Sequence, residues 1–198
     1  MDRVAVFCGS SPGFNGLYRH QAQLLGEALA KRGIELVYGG ASVGLMGAVA
    51  DGSLDMGGKV TGVFPDFLQE LEIAHPQLTE LIIVDNMHAR KTRMNELSDG
   101  VIALPGGFGT LEELFEMLTW VQLGLISKPV ALLNTSGFYD GLIELIGKMV
   151  KTGFLNKANA DMLLTDDNIE TLLDRMINYK ATASRKWISD DDPPVRLV

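Results

Sequence analysis

The sequence has a single cysteine, Cys8, among its 198 residues, which excludes a disulfide framework and a thiolate metal cluster. The histidines, His20, His75 and His88, are scattered without metal-ligand spacing, so we predict no metal site. No apolar run approaches the length that spans a bilayer, and the first residues lead into a strand-like segment without a signal-peptide pattern. We therefore expect a cytoplasmic protein that does not engage a membrane.

Basic residues are outnumbered: 17 Lys and Arg stand against 25 Asp and Glu, giving a formal charge of −8 at pH 7. Neutralising the phosphates of a nucleic acid requires a basic surface, so we expect no nucleic-acid polymer as partner. The deficit does not argue against a small anionic ligand, because a few local cationic and N–H groups suffice to bind one.

Apolar runs alternate with helical patterns along most of the chain. The apolar runs predict strands at residues 4–8, 35–38, 60–64, 81–84, 101–104, 130–133 and 162–164. The helical patterns predict helices at residues 15–32, 44–57, 87–98, 110–126, 137–152 and 167–178. Continuous apolar strands are buried on both faces, and helical crossovers make them parallel. We predict one α/β domain over residues 1–180, a Rossmann-like, doubly wound, mostly parallel sheet with helices on both faces, and a C-terminal tail over residues 181–198.

A glycine-rich turn follows the predicted strand 101–104. The segment PGGFGTLEE, residues 105–113, leads from that strand into a helix that we predict to begin at about Thr110. Backbone N–H groups and the positive end of a helix dipole at such a turn suit a phosphate group. Glu112 stands where the dinucleotide-binding pattern has its last glycine, which disfavours a nicotinamide dinucleotide. A mononucleotide or a sugar phosphate fits the turn better.

Glu113 has two interpretations from the residues alone. It follows Thr110 by three positions, which is the spacing of a capping box, and acids in a first helical turn also complement the helix dipole. Beside a phosphate cradle, however, the same carboxylate is suited to chemistry on a phosphorylated substrate. The pattern leaves both interpretations open.

Cationic side chains cluster at the start of another predicted helix. Arg90, Lys91 and Arg93 fall in its first two turns, after Asp85 and Asn86, either of which can cap the helix. Cations are normally unfavourable near a helix N-terminus, so three of them there indicate an anionic partner. A solvated basic face is the ordinary explanation for any one of them.

Other notable residues have an ordinary structural explanation beside a functional one. Met87 and Met94 share a helix face with Arg90, where thioethers beside a guanidinium would suit a flat, charged ligand, but such methionines are commonly core. Cys8 has no histidine arranged with it and is predicted to be a small buried residue. A second glycine turn, residues 39–44, either allows tight helix–strand packing or contacts a ligand.

The segments MHARK (residues 87–91) and PGGFGTLEE (residues 105–113) together resemble the LOG family. Its members are cytokinin riboside 5′-monophosphate phosphoribohydrolases, many of them once labelled lysine decarboxylases. The resemblance extends from FCGSS at residues 7–11 through GLMG at 44–47 to QLG at 122–124. The wider superfamily with this combination of motifs includes molybdenum-cofactor carrier proteins. Phe108 stands where the family usually has tyrosine, a change that leaves the backbone of the turn unaffected.

The resemblance implies hydrolysis of the N-glycosidic bond of a nucleoside 5′-monophosphate to free base and ribose 5-phosphate, without a cofactor. Either a cytokinin riboside 5′-monophosphate or AMP would be the substrate. Catalysis is placed on Arg90 and Glu113, and Glu113 would act as nucleophile or as base for water. A homodimer with the site near the subunit interface is also implied. The residues implied in substrate binding are Glu72, Arg90, Lys91, Gly106, Gly107, Phe108, Gly109, Thr110, Leu111, Glu112, Glu113 and Thr119.

Two other functions compete with this hydrolase. The first is a nucleotide or molybdenum-cofactor carrier protein without turnover, which would bind its ligand tightly whether or not Glu113 is intact. The second is a pyridoxal-phosphate decarboxylase, which needs a Schiff-base lysine in a recognisable cofactor setting, and the sequence shows none. Intact Arg90 and Glu113 favour the hydrolase. The preferred base, and a role in hormone production or in nucleotide salvage, are left open.

Overall fold

The computed structural model describes residues 1–70 and 74–181, without the side chains of Gln69 and Glu70. Glu72 and the predicted tail after its first residue lie outside the described residues. In the described part, the strands are β1 (Arg3–Phe7), β2 (Glu35–Tyr38), β3 (Val60–Pro65), β4 (Glu80–Val84), β5 (Gly100–Ala103), β6 (Val130–Leu133) and β7 (Leu163–Asp166). The α-helices are α1 (Gly16–Lys31), α2 (Gly44–Asp55), α3 (Met87–Leu97), α4 (Phe108–Gln122), α5 (Asp140–Lys151), α6 (Lys157–Ala160) and α7 (Ile169–Ile177).

The strands form one sheet in the order β4-β3-β2-β1-β5-β6-β7, and every neighbouring pair is parallel. The chain moves outward from β1 to β4 and then returns to place β5 on the other side of β1. Such a reversal opens a crevice at the carboxyl ends of the two central strands, which is where ligands bind in doubly wound sheets. The predicted Rossmann-like fold is confirmed, and its switch point lies between β1 and β5.

The central strands are apolar along their whole length because both faces of the sheet are covered. Val4 and Val6 of β1 pack with helices α1, α2 and α7 in one buried cluster. Ala5 and Phe7, which alternate with them, pack on the opposite face in a second cluster with side chains of α3 and α4. The sheet therefore has a hydrophobic core on each side, as continuous apolar runs predict.

The start of α4 differs from its sequence prediction. The helix begins at Phe108 rather than at about Thr110, and Gly107 is its N-cap residue without a side-chain cap. Gly106 permits this early start, because a Cβ there would lie 2.1 Å from the Thr110 hydroxyl oxygen. Glu113 consequently lies in the second turn, one turn too far from the N-cap for a capping box. The capping interpretation of Glu113 is wrong.

No helix in the described residues is long and apolar enough to cross a membrane.

Candidate active site

A cavity of about 220 Å³ opens at the switch point between β1 and β5. Its walls come from four parts of the chain: the end of β1, helix α2, helix α3 and the glycine turn with α4. The residues that line it are Cys8, Gly9, Ser10, Met46, Met87, Arg90, Gly107, Gly109, Thr110 and Glu113. Arg90 and Glu113, predicted from separate motifs, thus meet in one cavity.

The turns beneath the cavity are packed backbone against backbone. The Gly9 N–H donates to the Pro105 carbonyl at 3.1 Å, and the Leu45 N–H donates to the Gly9 carbonyl at 3.0 Å. Gly44 has a φ of +61°, and a Cβ there would lie 2.3 Å from the Ser10 carbonyl group. Close packing therefore accounts for this glycine of the second turn, whereas Met46, two residues later, lines the cavity.

The first turn of α4 presents unused hydrogen-bond donors to the cavity. The N–H groups of Phe108, Gly109 and Thr110 have no acceptor within the helix, because an α-helix leaves its first N–H groups unpaired. A Cβ at Gly107 or Gly109 would meet no atom within 4 Å, and both glycines line the cavity together with Thr110. This arrangement fits a phosphate group.

Glu113 holds its carboxylate at the cavity wall and is only 8% exposed. No described side chain or backbone group forms a hydrogen bond with it. Burial raises its pKa from an ordinary value of 4.5 to about 7, while the Arg90 guanidinium opposes this shift and the Glu112 carboxylate adds to it. The cavity therefore contains an acid that titrates close to neutral pH, as catalytic carboxyl groups commonly do.

Arg90 projects from the first turn of α3, which Asn86 caps by accepting the Ala89 N–H at 2.9 Å. Its guanidinium nitrogens contact the sulfur atoms of Met87 at 3.8 Å and Met46 at 4.0 Å, and its buried Nε has no partner. Thioethers are weak acceptors, so a buried guanidinium held only by them retains donors for a ligand. Met46, rather than the expected Met94, provides the second thioether. Met94 is core and 1% exposed.

Lys91 points to α4 and does not line the cavity. Its ammonium pairs with the carboxylates of Glu112 and, at 3.0 Å, Glu116. Burial works against the charge on Lys91, but hydrogen bonds to these carboxylates outweigh it and raise the pKa of Lys91. Arg93 pairs with Glu96 at 3.1 Å on the exposed side of α3. Of the three clustered cations, Arg90 faces the cavity.

The remaining predicted substrate contacts are spread around the site. Phe108 is 93% exposed, Leu111 is partly buried, and neither lines the cavity. Gly106 lines an adjoining apolar recess of about 350 Å³. Thr119 is exposed, and its hydroxyl donates to the Phe115 carbonyl at 2.7 Å. Their role as substrate contacts stays a prediction, as does that of Glu72.

Part of the cavity wall comes from residues outside the predicted set of substrate contacts. Cys8 and Ser10 line the cavity but were not among the predicted substrate contacts, although the turn that contains Ser10 was predicted at the carboxyl end of the first strand, where ligands bind in such sheets. Burial raises the pKa of the Cys8 thiol far above its ordinary value, and the nearby Glu113 carboxylate adds to this shift. Cys8 is therefore a neutral wall residue rather than a nucleophile. Within residues 1–70 and 74–181, no cluster of side chains could hold a metal ion.

Known proteins are similar to this chain in sequence and in fold. The family model described as possible lysine decarboxylase matches residues 46–176. A probable cytokinin riboside 5′-monophosphate phosphoribohydrolase from Oryza sativa subsp. japonica is 47% identical over 177 residues, which cover 89% of this chain and 79% of that protein. A cytokinin riboside 5′-monophosphate phosphoribohydrolase from Arabidopsis thaliana is 45% identical, with 89% of this chain and 83% of that protein covered.

A solved structure of a molybdenum cofactor carrier protein from Chlamydomonas reinhardtii has the same fold, with a TM-score of 0.68. It is 20% identical, and the match covers 90% of this chain and 99% of that one. This similarity concerns the fold, whereas the plant proteins are related throughout the sequence. The resemblance seen in the two motifs is confirmed: the chain belongs to the LOG family, which the matching model describes as possible lysine decarboxylases.

Proposed function

We propose that the protein hydrolyses the N-glycosidic bond of nucleoside 5′-monophosphates, releasing the free base and ribose 5-phosphate. Its proposed substrates are cytokinin riboside 5′-monophosphate and AMP. The observation that carries the proposal is the meeting of buried Arg90 and buried Glu113 in one cavity, beside the open N-terminus of α4. The names of relatives that are 45% and 47% identical support the same activity.

The glycine turn would hold the 5′-phosphate. Unpaired N–H groups of the first turn of α4 donate to the phosphate oxygens, and the helix dipole favours their negative charge. Thr110, buried at the cavity wall, adds a hydroxyl to the same place. Binding energy gained at the phosphate, away from the bond that breaks, orients the ribose over Glu113.

Glu113 would act at the sugar. As the C1′–N bond breaks, its electron pair leaves with the base and positive charge develops on the ribose ring, which a nearby carboxylate stabilises. Water supplies the hydroxyl that ends on C1′ and the proton that the base gains. Glu113 fits this chemistry as a nucleophile or as a base that removes the proton from water.

Arg90 would bind the substrate or ease negative charge on the departing base. Its guanidinium is 8% exposed, and among the described residues it contacts thioethers rather than a carboxylate. A ligand that supplies hydrogen-bond acceptors therefore removes the cost of a buried, poorly paired charge. A purine nucleotide offers such acceptors on the base and on the sugar.

We expect the purified protein to release adenine from AMP and the free base from N6-isopentenyl-AMP. Chromatography of the reaction mixture, with a phosphate-free nucleoside as a parallel substrate, measures the activity and its dependence on the 5′-phosphate. Slow or absent release from the nucleoside would agree with phosphate binding at α4. Binding of both nucleotides without release of base would contradict the hydrolase and favour the carrier.

The protein is further proposed to be a homodimer, and a cytoplasmic location stays a prediction. An exposed stripe on α4, formed by Phe108, Phe115 and Thr119, supports the dimer because Phe108 is 93% exposed and Phe115 is 37% exposed. We expect Phe115→Glu to shift the protein toward monomer in sedimentation equilibrium, whereas Phe154→Glu, at an exposed phenylalanine outside the stripe, should not. A monomeric wild-type protein would contradict the proposal.

A further inference from the structure

An ion-paired lysine joins the two helices that carry the proposed catalytic groups. The Lys91 side chain of α3 is 4% exposed and pairs with Glu112 and Glu116, which lie one turn apart on α4. Lys91 directly follows Arg90, and Glu112 directly precedes Glu113. The ion-paired cluster Lys91–Glu112–Glu116 therefore lies immediately next to the two proposed catalytic residues.

Arg90 and Glu113 have no such link of their own. Among the described residues, the hydrogen-bond acceptors that the Arg90 guanidinium reaches are sulfur atoms, and no hydrogen bond contributes to the pKa of the Glu113 carboxylate. Their relative position consequently depends on how α3 and α4 are held. The Lys91 ammonium is buried between the carboxylates of Glu112, whose side chain is 56% exposed, and Glu116, whose side chain is 24% exposed. Separation of the two helices would leave this buried positive charge without a partner, which opposes such a movement.

We propose that Lys91 and Glu112 are positioning residues. Their ion pair joins α3 to α4 and thereby keeps Arg90 and Glu113 at the separation across the cavity that hydrolysis requires. Neither residue lines the cavity, so neither touches the reacting atoms. The inference rests on the proposed function, since positioning is defined here by its effect on hydrolysis of the glycosidic bond. It departs from the implied role of both residues as substrate contacts.

The cluster also acts on the ionisation of Glu113. The charged groups that face Glu113 are Arg90 and Lys91 from α3 and Glu112 and Glu116 from α4, and the neutral thiol of Cys8 faces it from the end of β1. The cations lower the pKa of Glu113 and the carboxylates raise it. Removing Lys91 should therefore raise this pKa, and removing the charge of Glu112 should lower it.

The test compares kcat, KM and the pH dependence of adenine release from AMP in Lys91→Met, Lys91→Arg and Glu112→Gln. We expect Lys91→Met to lower kcat by about 100-fold with a smaller change in KM, since a misplacement near 1 Å costs about that much. Lys91→Arg, which keeps the charge and both carboxylate partners, should recover most of kcat. Arg93→Met is the matched control, because Arg93 forms an exposed pair on the same helix.

The pH profiles separate positioning from a general loss of structure. The limb of the pH–rate profile that reflects ionisation of Glu113 should move to higher pH in Lys91→Met and to lower pH in Glu112→Gln. Raised KM with unchanged kcat and an unmoved limb would overturn the proposal in favour of direct substrate contact. Wild-type kcat in Lys91→Met would also overturn it. If Lys91→Met does not fold, the direction in which the limb shifts in Glu112→Gln tests the proposal, and a shift to higher pH or no shift would overturn it.

Failure of the proposed function would look different. A wild-type protein that binds AMP but releases no adenine removes the hydrolase, whatever the variants do. NMR titration of the carbon-13-labelled Glu113 carboxyl group then still measures the pKa shifts expected from Lys91→Met and Glu112→Gln. A pKa of Glu113 that is the same in Glu112→Gln as in the wild type would overturn the role of the cluster independently of turnover.

Discussion

Glu113→Gln is expected to abolish release of adenine from AMP while leaving AMP binding largely intact. The amide has the size of the carboxylate but neither its charge nor its capacity to act as nucleophile or base. Loss of such a group lowers kcat by about 10³-fold. Phosphate binding at α4 does not involve Glu113, so calorimetric titration with AMP should give a dissociation constant close to that of the wild type.

Glu144→Gln is a matched control, because Glu144 is an exposed glutamate on α5 outside the site. Its rate of adenine release should equal that of the wild type. Full activity in Glu113→Gln would remove Glu113 from the mechanism. Loss of both AMP binding and activity would instead show that the carboxylate holds the substrate.

The same substitution should stabilise the folded protein above neutral pH. The folded-state pKa of Glu113 is about 7 and its ordinary value is 4.5. Below pH 4.5 the group is neutral in both the folded and the unfolded chain, so it costs nothing. Between pH 4.5 and pH 7 the group ionises in the unfolded chain but stays protonated in the folded one, so its cost to stability grows with pH. Above pH 7 the cost is complete, at about 3 kcal/mol. Urea unfolding at pH 4 and pH 8 should show the gain in Glu113→Gln only at pH 8. An equal gain at both pH values would contradict burial of the charge as its cause.

Gly39→Ala is expected to lower kcat/KM by about 100-fold through a displacement of Arg90. Gly39 directly follows β2, and a Cβ there would lie 1.7 Å from a guanidinium nitrogen of Arg90 and 2.9 Å from the sulfur of Met46. Both atoms belong to long, flexible side chains, so they can move aside without disrupting the sheet. The methyl group therefore takes the space of the guanidinium while the fold persists.

Adenine release and thermal unfolding, measured together, separate these two effects. Gly141→Ala on α5 is the control, because a Cβ there meets no atom within 4 Å and alanine is the better helix former. We expect both variants to unfold cooperatively and Gly39→Ala alone to lose activity. Wild-type activity in Gly39→Ala would mean that the observed position of Arg90 is not needed for turnover.

Local sequence patterns predicted the sheet well because each of its strands is a continuous apolar run that is visible in the sequence. Each apolar run from β1 to β7 lies within a residue or two of the observed strand, and continuous apolar composition follows directly from burial on both faces. The helix that contains Arg90 was also predicted closely, since Asn86 provides a cap that is visible in the sequence. The start of α4 was predicted at about Thr110 instead of Phe108, because its N-cap residue, Gly107, has no side chain that could indicate a cap in the sequence.

The partners of the site residues could not be predicted in the same way. The sequence pattern around Lys91 indicates an anionic ligand, but the anions that Lys91 contacts are carboxylates of α4 more than 20 residues later in the chain. Met46 reaches Arg90 from α2, and no spacing within α3 indicates it. The contact of Gly39 with Arg90 also depends on how the end of β2 meets the start of α3. Such contacts arise from the packing of whole elements, which a local pattern does not encode.

The path of α3 across the sheet has a consequence for how the site comes into being. This helix connects the edge strand β4 to the central strand β5 and packs against β1, β2, β3 and β4 on the way. The cavity wall accordingly spans the chain from Cys8 to Glu113 and needs strands on both sides of the switch point. It cannot be isolated as a peptide or grafted as a loop. During synthesis, Arg90 emerges before the strand and helix that will face it, so no binding site exists until α4 has docked.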